Sequence, residues 1–171
     1  MGRFGMNVLD SAEDPKQAQR RPLYYFLIVT LGVGAVASLF TEPSIPTWYA
    51  GLRHPAIVPP TFLFAPVWTA LYILMAVAAW RVWRKTGLKS LEMAAFGLQL
   101  ALNFAWSAIF FALHRISAAL IEIAGLDLAI LATTFLFFRR DRLAGLLLLP
   151  YLAWTGFASF LTHAFWRLNG G

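Results

Sequence analysis

Polar side chains are scarce in the long apolar stretches of this sequence, so the few that occur there mark where chemistry would be found. In "EMAAFGLQLALNFAWSAIFFAL", Gln99 and Asn103 stand four residues apart and share one helical face, which Trp106 and Phe110 extend. Trp68 and Tyr72 repeat that spacing in "PVWTALY", and Trp154, Phe157, Ala158 and Leu161 share a face in "PYLAWTGFASFL". Such stripes could be core packing, with Gln99 and Asn103 bonded to a neighbouring helix. They could equally converge on an apolar cavity with a few hydrogen-bonding groups, the composition of a site for a flat hydrophobic ligand.

Two carboxylates fall in another apolar stretch. Glu122 and Asp127 are five residues apart, about 140° around a helix, so they do not form a dyad. Glu122, near the segment's start, is expected to reach the interface. Asp127 lies deeper and requires a partner, for which Gln99, Asn103 and His163 are the candidates. A protonated, hydrogen-bonded Asp127 fits such burial. The three histidines, His54, His114 and His163, lack ligand-like spacing, and cysteine is absent, so no metal site and no disulfide is expected. Neither a nucleophile motif nor a phosphate-binding glycine loop is present.

The elements that must position these residues follow from composition. Of 171 residues, 60% are apolar and only 13% charged, more apolar surface than a soluble domain of this size could bury. Five apolar segments, at about 23–40, 62–83, 91–113, 118–138 and 143–166, each approach the roughly 20 residues needed to cross the hydrocarbon layer as a helix. The alternation of a transmembrane β-barrel is missing. The reading is an all-α membrane protein, a five-transmembrane-helix bundle over residues 22–169, with a long loop between helices 1 and 2. Pro150 is expected to kink the fifth helix or loosen its preceding turn. Residues 1–21 read as a polar, loosely ordered tail without a signal-peptide pattern.

Basic residues set the orientation. Arg3, Lys16, Arg20, Arg21, Arg81, Arg84, Lys85, Lys89, Arg139, Arg140 and Arg142 fall on one side, and only Arg53, Arg115 and Arg167 on the other. The first side is therefore cytoplasmic, with the N-terminus inside and the C-terminus outside. The same distribution explains the net charge of +6 without nucleic acid. A bacterial cytoplasmic membrane is the expected location and membrane lipid the expected surroundings. Trp48, Trp83 and Trp166, near helix ends, read as interfacial anchors. Gly97, Ala101 and Ala105 form a smooth ridge on the third helix, away from its polar face, that could pack within the monomer or against a second copy.

Four stretches in order, "WYAGL" with the proline-rich run after it, "PVWTALY", "QLALNFAWSAIFF" and "PYLAWTGFASFL", resemble the TspO/translocator-protein family. These are the tryptophan-rich sensory proteins, whose mitochondrial members are called peripheral benzodiazepine receptors. The resemblance covers about residues 23–169. It implies five membrane helices, often a homodimer through the third helix, and a cavity for porphyrins, sterol-like molecules and drug ligands. It further implies that the first loop, with Trp48, His54, Pro55, Ile57, Pro59 and Pro60, closes that cavity as a lid. Trp68, Tyr72, Asn103, Trp106 and Trp154 match family pocket positions.

The departures concern the same loop. His54 stands where the family has lysine, and Ile57 where its W-x-P-P pattern has tryptophan. That tryptophan is associated with light-driven porphyrin degradation in some members, so its absence argues against an enzyme. Near the end of the last helix, Leu161-Thr162 replaces the family's Leu-Asn, and His163 stands where a sterol-recognition pattern needs tyrosine, so no sterol site is expected. The resemblance thus implies a receptor that binds a tetrapyrrole as ligand, with no cofactor required; a porphyrin-degrading enzyme and a tetrapyrrole transporter are the alternatives.

Overall fold

The computed structural model describes residues 15–170, with side chains from Arg21 onward. Among the described residues there are five long helices and no strand: α1 (Pro15–Ser44), α2 (Phe64–Thr86), α3 (Leu91–Ser107), α4 (Ile116–Arg140) and α5 (Arg142–Asn169). All five are long and apolar enough to cross a membrane. With the family relationship established below, this makes the chain an integral membrane protein. Its outward side chains fit that solvent, since Ile28, Leu39, Ile121, Leu128, Phe135 and Phe160 are all exposed.

The helices pack in a ring, α1–α2–α5–α4–α3, which α3 and its last turn close against α1. On α2, Met75, Ala76, Ala78, Ala79 and Val82 are completely buried. The three alanines let neighbouring backbones approach closely, where lipid supplies no hydrophobic drive between helices. Two glycines serve the same end. A Cβ at Gly34 would lie 2.4 Å from the Tyr72 ring, and one at Gly145 2.3 Å from the Phe138 ring. Gly34 thus seats Tyr72 against α1, where Thr30 also donates to the Tyr72 carbonyl at 3.0 Å.

The end joining α2 to α3 and α4 to α5 is built from ion pairs and caps. Ser90 accepts from the Met93 amide at the start of α3, and Asp141 accepts from Ala144 at the start of α5. Asp141 also meets Arg81 at 2.9 Å and Lys85 at 2.8 Å, while Glu92 pairs with Arg140 at 2.5 Å. Burial would raise the Asp141 carboxyl, but the Lys85 hydrogen bond, the Ala144 amide and Arg81 outweigh it and hold the group well below the usual carboxylate range.

Three local features add detail to the sequence reading. First, α1 extends back to Pro15, into the segment set apart as a tail, whose residues 1–14 lie outside the described part. Second, α3 ends not at Leu113 but in a π turn, Ala108–Ala112. The Phe111 carbonyl there accepts from Ser44 at 2.6 Å, which ties the end of α1 to this wider turn. Third, α5 continues as one helix from Arg142 to Asn169, with Pro150 in its interior, where it removes one backbone hydrogen-bond donor.

Candidate functional site

The middle of the bundle gathers polar groups that have few partners. The Tyr72 hydroxyl donates to Asn103 Oδ1 at 2.7 Å, joining α2 to α3. Trp68 packs on Tyr72 at 5.6 Å between centroids and edge-on against Tyr151 of α5 at 6.3 Å. Tyr151 is wholly buried, and its hydroxyl lies beside Asn103 without completing a hydrogen bond of full geometry. One turn from Asn103, Gln99 is 1% exposed; its Nε2 reaches only the Met75 sulfur at 3.9 Å, and its Oε1 reaches nothing. The Trp106 indole N–H is likewise buried without an acceptor. A buried polar atom without a partner loses about 1–3 kcal/mol relative to a satisfied one. The atoms on Gln99 and Trp106 therefore hold hydrogen-bonding capacity that the protein itself does not use.

The expected residues fall into three groups. Trp68, Tyr72, Gln99 and Asn103 belong to the polar middle. Trp106 stacks on Phe110 at 5.2 Å and packs against both the main core and a second cluster under the first loop. Trp154 and Phe157 pack on each other and, through Trp154, on Phe64 at the start of α2, while Ala158 lies against the main core. Tyr151 was not singled out from the sequence. It lies three residues before Trp154 and seven before Ala158, so helical spacing alone could have placed it on their face.

The loop between α1 and α2 is docked, not splayed. Tyr49 is buried among Phe111, Phe165 and His54, and burial pushes its phenol above the ordinary value. His54 Nε2 hydrogen-bonds with the Tyr49 carbonyl at 3.0 Å. Asn169 at the end of α5 clasps the loop, accepting from the Arg53 amide at 2.8 Å and donating to its carbonyl at 3.1 Å. Trp48 stacks on His114 at 4.4 Å and packs edge-on against Phe110. Pro55 and Pro59 are half-buried, whereas Ile57 and Pro60 face outward. Surface hollows of about 410 and 440 Å³ open at the two ends of the bundle, and none of the residues of the polar middle borders either.

Two expectations on α4 change. Asp127 is partnered by Ser159 of α5, which donates to Oδ2 at 2.6 Å, and not by Gln99, Asn103 or His163. Glu122 does not reach the interface: both of its carboxylate oxygens are shut in without a partner. The ridge on α3 resolves differently. Gly97 and Ala101 are exposed, Ala105 is half-exposed, and a Cβ at Gly97 would meet nothing within 4 Å. The monomer leaves this ridge uncovered. No cluster of three or more potential metal ligands occurs among the described residues.

Residues 26–167 match the TspO/MBR family. The chain belongs to this family. It is 40% identical over 144 residues to the tryptophan-rich protein TspO of Archaeoglobus fulgidus, covering 84% of this chain and 94% of the relative. To the human translocator protein it is 38% identical over 140 residues, covering 80% and 83%. To the tryptophan-rich sensory protein of Cereibacter sphaeroides it is 35% identical over 147 residues, covering 86% and 91%. The matched span begins within α1 and ends within the last turn of α5, so the family relation embraces the loop, the polar middle and all five helices.

Proposed function

We propose that this protein is a membrane receptor for a flat, apolar ligand of the tetrapyrrole class, held among Trp68, Tyr72, Asn103, Trp106, Tyr151 and Trp154. Family membership supports the coarser statement, a membrane sensor or receptor role, as the names of the sensory and translocator relatives have it. The observation that carries the finer one is the set of unpartnered polar atoms on Gln99 and Trp106, with the Tyr151 hydroxyl beside Asn103, framed by indole and phenol rings. A tetrapyrrole offers a wide π-face to those rings and pyrrole N–H groups and carboxylates to the polar atoms.

In this reading the first loop is a lid. Its clasp by Asn169 and its packing on Phe165 hold it over the outer end of the bundle, and its release would admit the ligand. The uncovered α3 ridge serves a homodimer, since small residues let two such helices meet closely. The basic residues gathered at the ion-paired end support an orientation with that end and the N-terminus in the cytoplasm, and the proposed location is a bacterial cytoplasmic membrane.

Protoporphyrin titrated into the detergent-purified protein in the dark tests the reading. Saturable quenching of tryptophan fluorescence, weakened about tenfold or more by Trp154→Ala, is the expected result. Full affinity in that variant would remove the pocket. The same sample under light separates a receptor, whose porphyrin spectrum stays constant, from a degrading enzyme, whose porphyrin band bleaches as a product band grows.

A further inference from the structure

At the ion-paired end, one cation stands outside the network. Asp141 takes Arg81 and Lys85, and Glu92 takes Arg140, which commits both acids of the two junctions there. Arg139, in the last turn of α4, has no ion pair among the described residues. Its guanidinium lies 5.9 Å over the ring of Phe135, which is itself 61% exposed. A charged group left at a helix end beside a lipid-facing ring sits at the depth of lipid headgroups.

Arg139 and Arg140 both line a hollow of about 410 Å³ between the start of α3 and the end of α4. That size suits a small-molecule site, typically about 300–1,000 Å³. The walls of the hollow are of two kinds. Leu91, exposed, and Leu136, half-buried, continue the apolar surface that α3 and α4 turn outward. The other wall supplies donors. Arg140 commits only its Nε to Glu92, so its two terminal nitrogens stay open, and Arg139 adds a whole guanidinium. The Ser90 hydroxyl is already in use, accepting from the Met93 amide and donating to the Gly87 carbonyl. Glu92 is buried, and its charge is matched by Arg140, so the Arg139 charge remains without a counterion.

An occupant that completes this hollow must bring an anion with several acceptor oxygens and an apolar body beside it. Guanidinium forks match phosphate oxygens in geometry as well as charge. Basic pockets between membrane helices at the interface are suited to phospholipid headgroups. We infer that the hollow is a binding site for an anionic phospholipid, its phosphate on Arg139 and Arg140 and its acyl chains along Leu91 and Leu136. A free phosphate would share the arginines, but only a lipid uses the leucine wall. The site involves no residue of the polar middle, so it stands apart from the tetrapyrrole reading.

The test is native mass spectrometry of the full-length protein released from a neutral detergent, titrated with phosphatidylglycerol or phosphatidylcholine of the same chains. Phosphatidylglycerol is expected to bind saturably and at least about tenfold more tightly than phosphatidylcholine. Arg139→Gln, which leaves the Glu92–Arg140 pair in place, should weaken phosphatidylglycerol about tenfold. Arg84→Gln removes the same charge from the same end, but Arg84 lies over Trp80 and outside the hollow, so affinity should stay within about twofold. Soluble glycerol phosphate should not displace the lipid. Equal affinity for the two lipids, or an equal loss in both variants, would overturn the proposal in favour of diffuse charge. Displacement by glycerol phosphate would overturn the lipid assignment in favour of a free-anion pocket. Should a variant fail to fold, the comparison of lipids on the unmodified protein decides the matter.

Discussion

The two polar regions of this bundle are built on opposite plans. At the end where α2 meets α3 and α4 meets α5, Asp141 and Glu92 are nearly buried, and each has its cation and its place in the local hydrogen bonding. In the middle, Gln99, Trp106 and Glu122 are shut in with polar atoms that have no hydrogen-bond partner in the protein, and the Tyr151 hydroxyl has only Asn103 beside it. A satisfied network fixes structure, whereas an unsatisfied one in an apolar setting keeps interaction capacity in reserve. The first region holds the helices in register, and the second is where we propose that a ligand binds. Changes in the first should therefore act on stability and changes in the second on binding.

The sharpest break of that comparison comes from Asp141→Ala. It removes the α5 N-cap together with the shared acceptor of Arg81 and Lys85, and should lower unfolding free energy by about 3 kcal/mol. Protoporphyrin affinity of the folded fraction should stay within about twofold. Next is Gly34→Ala, whose new methyl meets the Tyr72 ring where α1 and α2 pack closely. About 2 kcal/mol of destabilisation is expected, and because Tyr72 is displaced from Asn103, weaker porphyrin binding should accompany it. This variant alone joins the two effects, since its glycine seats a residue of the binding region.

A milder perturbation is acid. Asp141 titrates lower in the folded chain than in the unfolded one. Its contribution is therefore complete above about pH 4, the unfolded aspartate value, and is lost as the pH falls below that toward its folded value. Unfolding of the unmodified protein followed down this acid limb should steepen, and Asp141→Asn, which keeps a side-chain acceptor for the cap, should flatten it. Smallest is Tyr151→Phe. It deletes a hydroxyl that has only an incomplete contact with Asn103, so the stability of the ligand-free protein should change by no more than about 1 kcal/mol.

The five spans and the loop between the first two were legible because lipid imposes one solution, an apolar helix about 20 residues long, on each segment. Residue placement on α2, α3 and α5 was legible for a related reason: Trp68 and Tyr72, or Gln99 and Asn103, can share a face only at helical spacing. What remained hidden depended on neighbours from other helices. Ser159 as the partner of Asp127 is set by how α5 docks on α4, and the Asn169 clasp on Arg53 joins residues 116 apart in the sequence. The bond from Ser44 of α1 to the Phe111 carbonyl in the π turn is likewise a contact between segments that no local pattern around residue 110 encodes. Tyr151 escaped notice for a simpler reason, since the aromatic face of α5 was begun one turn too late.

The most direct test of the contrast between the two regions is thermal unfolding of Tyr151→Phe and the unmodified protein, each with and without saturating protoporphyrin in the dark. The account predicts a ligand-free midpoint close to that of the unmodified protein, with a smaller porphyrin-induced rise because the ligand has lost a hydrogen-bonding partner. A markedly lower ligand-free midpoint with an undiminished porphyrin shift would contradict it, and would make the Tyr151 hydroxyl part of the scaffold.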